Sequence, residues 1–483
     1  MARHKTKTAC RMRASYEGAG QGLRAKSWQP GAAGPTQVVT AGLQTLRDRS
    51  RAAARDDAYA FSAVDKLVSN EIGTGITPQS RHPDVAVRQE IDELWQQWTE
   101  ESDADGLSDF YGQQSLISRT VHMAGEVFVR LRPRRLDDGL CVPLQIQLLE
   151  PEMVPHSLNR PLPNGNRIRA GIEFNGIGRR VAYWMYPRHP GETGFDFKSN
   201  EPVRVPAEQV LQIQDPQRPG QLRGVPTLAP VLLRLKSLDA YDDAVLFRQE
   251  VANLFAGFIR EPAPEDQMQL DGAEGEEVAD DGTPLISLEP GTMQKLLPGE
   301  EVEFSDPPDA GNSYGDFMRQ QLQAVAAGVG IPYEILTGDL RGVNDRLIRV
   351  ALNDFRRRLE QRQWTVYIPT CRRIRAAWMD AAVLSGALIL SDYAKRRRAY
   401  LDTVWVPQGW PYIQPVQDIQ AQALEIHEGL ASRSGVVLRR GDSAERIDAE
   451  NAADVARAKK LGLQYGSSPA APPKSEDPEK ELP

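Results

Sequence analysis

The residues of this 483-residue chain that could do chemistry are six histidines, three cysteines and a dense set of carboxylates. His4, His82, His122, His156, His189 and His427 stand singly, clustered neither with one another nor with cysteine as a zinc site requires. Each is expected to be a surface or internally satisfied residue. Cys10, Cys141 and Cys371 have no paired spacing, which argues against a disulfide framework and a thiolate zinc cluster. The phosphate-cradling G-x-x-x-x-G-K-[ST] is missing, as are a G-x-G-x-x-G after a strand, H-E-x-x-H, H-x-E with C-x-x-C, and G-x-S-x-G. Asp242 and Asp243 adjoin on a predicted helix, where neighbours point about 100° apart and cannot share a metal. The sequence therefore predicts no catalytic residue, no metal site and no cofactor.

The carboxylates have a different message. The formal net charge is −8, yet residues 261–309 hold fifteen acidic residues against the single base Lys295. Residues 1–27 hold seven basic residues and one acid, Glu17. What remains is a neutral body with a basic N-terminal segment and one strongly acidic insert. A block of like charge is either a solvated loop or an interaction surface. Within the insert, 283–288 and 302–304 read as strands bounded by Pro-Gly turns.

The elements that must position these charges follow from periodicity. Residues 1–35 show no lasting pattern. Helices are predicted from about 41 with a break near Asp56-Asp57, over 85–99, and near 109–124. Strands are predicted at 126–132, 144–149, 171–174 and 181–186, with Asn164-Gly165 and Asn175-Gly176 as hairpin turns. Residues 40–215 thus read as α+β with a mostly antiparallel sheet. Leu228, Val231, Leu235, Leu238, Tyr241 and Val245 recur at steps of three and four, predicting a long helix to about 252. A second helix over 313–329 returns from the insert, so the two form a stalk bearing a head. A loop over 333–344, a long arginine-rich helix bending at Pro369, a turn-rich linker from Trp405, and three helices over 416–460 complete the chain, before a Ser/Pro/Lys/Glu-rich tail. No apolar run is long enough to span a bilayer, and the start lacks the apolar core of a secretory signal, giving the expectation of a cytoplasmic protein without membrane contact.

Several segments, in one order, resemble the lambda-type phage portal proteins. They are 63–80 (AVDKLVSNEIGTGITPQS), 125–130 (GEVFVR), 148–152 (LLEPE), 171–173 (GIE) with 181–184 (VAYW), 218–224 (RPGQLRG), 330–339 (GIPYEILTGD) and 405–429. The similarity runs from about Leu46 to Leu463, and its colinearity carries it. After 337–339, where many members have a Tyr-Ser-Ser-type run, this chain reads Leu340-Arg-Gly-Val-Asn-Asp-Arg346.

The resemblance implies a homo-oligomeric ring of about twelve subunits at one capsid vertex, the channel through which double-stranded DNA is packaged and ejected. It implies docking to terminase and a head–tail adaptor, contacts with major capsid and scaffold proteins, and presence in the virion after assembly in the host cytoplasm. The implied fold is α+β of portal type. Its parts are a basic flexible segment (1–39), a wing (40–227), stem helix one (228–259), an acidic α/β clip (260–309), stem helix two (310–332), a tunnel loop (333–345), a long helix with the rest of the wing (346–404), a helical crown (405–465) and a disordered tail (466–483). The DNA-facing candidates in the tunnel loop are Arg341, Asn344 and Arg346, and those lining the stem lumen are Asp239, Asp242, Asp243 and Glu250. Glu300, Glu301, Glu303 and Asp306 are candidates for docking a partner on the clip. For Arg341 and Arg346 the alternative is pairing with carboxylates of a neighbouring subunit, and for the cluster Arg356–Arg358 with Arg362, ion pairs between subunits. Two other classes stay open from sequence: a nuclease with an unrecognised metal site, and a ring-forming scaffold outside phages.

Overall fold

The computed structural model describes residues 27, 31–192, 200–253, 257–260, 301–304, 314–410 and 414–463; for 251–253, 257–260, 301–304 and 345 only the backbone is described. The basic N-terminal stretch 1–26, the predicted strand 283–288, Glu300, Asp306 and the tail from 464 lie outside the described residues.

Aspartates cap three of the helices in the N-terminal half. After the short α1 (Pro35–Thr40) and α2 (Leu43–Asp56), Asp57 accepts from the Ala60 amide at 2.8 Å and starts α3 (Ala58–Glu71). Strand β1 (Thr77–Ser80) leads to α4 (Val85–Glu101), capped by Asp84, and α5 (Phe110–Ala124), capped by Asp109. α1 overlaps the end of the segment read from sequence as flexible (1–39), and Thr36 donates to the Gly220 carbonyl at 3.2 Å.

Strands β2 (Glu126–Pro133) and β3 (Leu144–Leu149) pair with β9 (Val210–Gln214) in the order β3-β2-β9. Between them β4 (Arg160–Pro161), β5 (Arg167–Arg169), β6 (Ile172–Phe174), β7 (Arg180–Met185) and β8 (Val203–Pro206) form a five-stranded meander. All the pairings are antiparallel. The alternation of β2 buries Val127, Val129 and Leu131 toward α4 and α5, and Phe128 toward the meander.

α6 (Leu232–Asn253) runs out from this body, the ribbon β10 (Gly257–Arg260) and β11 (Glu301–Phe304) pairs antiparallel beyond it, and α7 (Tyr314–Val329) returns. Leu235, Leu238, Met318, Leu322 and Val325 are buried in one core with α2 and α3. The loop predicted over 333–344 contains a helical turn, α8 (Tyr333–Thr337), started by Pro332. Asn344 caps α9 (Asp345–Arg362) by accepting from the Arg346 amide at 2.9 Å.

Ahead of Pro369, where a bend is predicted, the helical hydrogen bonding changes. Gln363–Tyr367 form a π-turn, and Pro369 sits in the first turn of α10 (Ile368–Ser385). The wider turn relieves the clash Pro369 would make with the Thr365 carbonyl in a regular helix. α11 (Tyr393–Tyr400) follows. The stretch read as a linker from Trp405 begins in a strand: β12 (Thr403–Val406) pairs with β1, which ties this part of the chain to the body. α12 (Pro415–His427), α13 (Arg433–Arg439) and α14 (Ala444–Leu461) end the described chain. Among the described residues no helix is long and apolar enough to cross a membrane.

Candidate functional site

The loop between α8 and α9 turns at Gly338 and Gly342, both with left-handed φ (+73° and +72°) that side chains disfavour. Between them Arg341 folds back on Asp339. Its Nε donates to Oδ1 at 2.8 Å and its Nη2 to Oδ2 at 2.9 Å, a two-pronged pair, and the Arg341 amide donates to Oδ1 at 3.1 Å. Tyr333 Oη donates to Asp339 Oδ2 at 3.1 Å, and the Arg319 guanidinium of α7 lies 5.5 Å above the Tyr333 ring. The Asp339 side chain is only 13% exposed whereas that of Arg341 is 87% exposed. Bonding by Arg341 holds the Asp339 carboxyl well below its ordinary value and raises Arg341. The loop therefore offers an exposed cation whose charge is already matched.

At the other end of α9 the helix is fastened in the body. Glu71, at the C-terminal end of α3, is fully buried and accepts four hydrogen bonds. The donors are Arg362 Nε at 2.5 Å, Tyr367 Oη at 2.7 Å, Ser118 Oγ at 2.9 Å and His122 Nε2 at 2.9 Å. Arg362 also pairs with Asp215, and His122 Nδ1 meets Thr227 Oγ1 at 2.8 Å, five residues before α6. Burial opposes the charge of Glu71, but His122, Arg362 and the donated hydrogen bonds outweigh it and hold the carboxyl at about 2. One carboxylate thus joins α3, α5 and the π-turn end of α9, and reaches the approach to α6 through His122.

A second buried carboxylate braces the two sheets. Glu126, at the start of β2, takes Arg223 Nε at 2.5 Å, Arg47 Nη2 at 2.6 Å and Gln212 Nε2 at 2.6 Å. Arg223 donates in addition to the carbonyls of Pro151, Val154 and Ala170 at 2.9–3.1 Å. Its segment, 218–224, is one of those that carry the family resemblance.

With this geometry in hand, comparison with known proteins decides the family. The model of the family described as "Phage portal protein, lambda family" matches residues 21–363. The chain belongs to that family. Its curated relatives include the "Probable portal protein" of Halomonas phage phiHAP-1, 27% identical over 89% of this chain and 84% of the relative. The portal proteins of Escherichia phages N15 and lambda are each 22% identical, over 95% of this chain and 93% and 92% of theirs. Among solved structures, a chain of the virion of the native gene transfer agent particle aligns at 12% identity and a TM-score of 0.44, covering 88% of this chain and 94% of the other. A chain of the neck of the native particle computed with C12 symmetry aligns at 13% and 0.44, over 82% and 92%.

In the portal chain the candidates read from sequence separate. Arg341, Asn344 and Arg346 do lie together around one loop, all exposed, but Arg341 is paired within its own loop and the Asn344 side chain is spent on the cap. Of the α6 set, Asp239, Asp243 and Glu250 are exposed, with Asp239 bound by Lys236 at 3.2 Å. Asp242 is different: it is half-buried and accepts from Tyr314 of α7, so it closes the helix pair rather than facing outward. Glu301 and Glu303 stand on β11, where only the backbone is described.

The reading of Arg362 as an inter-subunit residue is corrected, because its partners Glu71 and Asp215 are its own. Arg356 lies 5.5 Å from the Trp410 ring. His122 proves to be a satisfied core histidine.

Sequence reasoning missed Glu71, Glu126 and Arg223. The signal was an ionisable residue embedded in an apolar stretch, such as Glu71 before Ile72 and Glu126 before Val127. It also missed the cluster of Glu150, Glu152 and His189, whose oxygen and nitrogen atoms lie within 4.8 Å of one another. Arg51 already occupies that cluster, at 2.8 and 3.0 Å from Glu152 and 3.4 Å from Glu150. A guanidinium there supplies the charge a metal ion would.

Proposed function

We propose that copies of this chain close into a ring, of about twelve subunits, at one vertex of a phage capsid. Double-stranded DNA enters through its channel during packaging and leaves through it at ejection, and the protein carries out no catalysis of its own. The body and α9–α11 are the wing. α6 and α7 are the stem, and the acidic insert 260–309 is the clip that meets terminase and the head–tail adaptor. The tunnel loop 333–345 projects into the channel, and 405–465, with α12–α14, form the crown. Major capsid and scaffold proteins are the remaining partners, and the working location is the virion.

One observation carries the conduit reading: the exposed loop cation Arg341 is closed on its own Asp339. Duplex DNA presents a charge about every 1.7 Å, and each protein cation that neutralises a phosphate adds to a salt-dependent grip. A channel through which the whole genome slides must avoid such a grip. The helix α6 agrees with this, carrying four acidic residues and three basic ones. The acidic insert, repeated around a ring, would keep DNA central or attract a basic partner protein.

Native mass measurement of the purified protein, with duplex retention followed against salt, tests the reading. A closed oligomer of near twelve copies with weak duplex retention is the expected result. A stable monomer, or retention that falls steeply with salt through many phosphate contacts, overturns it.

A further inference from the structure

We infer that the cavity between α10, the end of α11 and β12 binds a small tetrahedral oxyanion of the phosphate class. The site lies within a single chain and stands whether or not copies close into a ring.

Three elements bring the groups together. On α10, Arg372 and Arg375 are three residues apart and so share a face. Arg398 comes from the last turn of α11, and β12, fixed by its pairing with β1, supplies Thr403 and Trp405. With Asp402, these residues line a cavity of about 770 Å³.

Buried donors in its wall lack acceptors. Arg375 is 1% exposed. Its Nη2 donates to Ser80 Oγ at 2.6 Å and to Asp92 Oδ1 at 3.1 Å, and the Trp95 and Trp378 ring centroids lie 4.8 and 5.4 Å from its guanidinium carbon. Nε and Nη1 meet no acceptor among the described residues, and neither does Trp405 Nε1. Native folds seldom leave buried donors unmet, and the cavity that Arg375 and Trp405 both line has room for an acceptor. Burial pushes the Arg375 guanidinium down to about 10 against the opposing pull of Asp92, as befits a cation short of negative charge.

The other two cations repeat the pattern. Arg396 and Arg397 are paired with Asp392 and Asp380, whereas the Arg398 side chain has no hydrogen bond or ion pair among the described residues. Arg372 meets the Trp364 ring, at 5.8 Å, and no carboxylate. Against the three guanidiniums stand Asp402 in the cavity and Asp92 beside Arg375, so the wall keeps an excess of positive charge. Guanidinium forks fit the oxygens of carboxylates and phosphates alike. Forks converging from two helices suit a tetrahedral ion, whose oxygens point in several directions, better than a flat carboxylate. The cavity is larger than one such ion, which is held at the arginine wall with water beyond it.

The test is equilibrium dialysis of the full-length protein against radiolabelled inorganic phosphate at constant ionic strength. Saturable uptake of about one phosphate per chain is expected. Arg372 and Arg398 are exposed, so Arg372→Gln and Arg398→Gln leave the core untouched, and together they should weaken uptake about tenfold or more. A second measurement uses the thermal melt, which phosphate should raise in the wild type beyond chloride at equal ionic strength, and raise less in the double variant. Uptake that climbs without saturating overturns the inference. A saturable site that both substitutions leave intact also overturns it, as an adventitious ion only, held elsewhere. Displacement of the bound ion by a short DNA duplex at equal phosphate concentration overturns the free ion as occupant in favour of a nucleic-acid phosphate.

Discussion

Glu71→Gln is the substitution with the most to say about how the loop-bearing helix is held. Glutamine has nearly the same shape but no charge, and it can offer an acceptor on only one of its two terminal atoms. In the native site Oε1 takes Arg362, while Oε2 takes Ser118, His122 and Tyr367. An amide oxygen left facing those three groups turns its NH₂ toward the Arg362 guanidinium, donor against donor. Breaking one side of a buried ion pair costs about 3–5 kcal/mol.

The pH dependence gives a second magnitude. An unperturbed glutamate titrates near 4.3, and Glu71 is held at about 2. A carboxylate depressed in the folded state stabilises it fully above its unfolded value, and that contribution disappears as pH falls through the folded value. The difference amounts to about 3 kcal/mol, lost between about pH 4 and pH 2.

Urea unfolding followed by tryptophan emission is a suitable assay, because Trp95 and Trp378 pack in the same core with ring centroids 5.0 Å apart. Wild-type stability is expected to fall across that acid window, while Glu71→Gln starts lower at neutral pH and loses less on acidification. A neutral-pH difference below about 1 kcal/mol, or an identical acid slope in both proteins, refutes the reasoning.

Other perturbations separate the remaining parts of the account. Asp339→Asn releases Arg341, so duplex retention measured against salt should steepen by a slope of about 1 for each loop that gains a phosphate contact; an unchanged slope would show that the pair does not restrain the cation. Arg223→Met strips three carbonyls and Glu126 of their shared donor and should cost about 3–5 kcal/mol in urea unfolding; a change within 0.5 kcal/mol, roughly that of a surface substitution, contradicts the bracing role. Asp57→Ala removes the α3 cap and should cost about 1 kcal/mol, whereas no loss would mean the cap is replaced by water.

The helices and main strands of the body were legible because apolar spacing and Asn-Gly turns point the same way along short stretches, whereas the capping aspartates Asp57, Asp84 and Asp109 went unused. The colinear segments were legible for the same reason, since each is local. What stayed hidden depends on partners far apart in the chain. Arg362 looked like one of a row of helix-face arginines, and its burial comes from Glu71, 291 residues away. Strand β12 is four residues long and is held in place by β1 from the opposite end of the chain. The Asp339–Arg341 pair was within reach of sequence reasoning, two residues apart between glycines, but its closure depends on Tyr333 and the α8 turn behind it. Asp242 shared its pattern with Asp243, and only the position of Tyr314 on α7 separates the two.

An electron-microscope top view of the purified full-length protein, taken alone and after mixing with linear duplex in moderate salt, addresses the central claim most directly. A closed ring with an open centre wide enough for a duplex is expected, with DNA that slips off its ends rather than staying clamped. A particle filled at its centre, or a ring that retains linear DNA after its ends are free to escape, contradicts it.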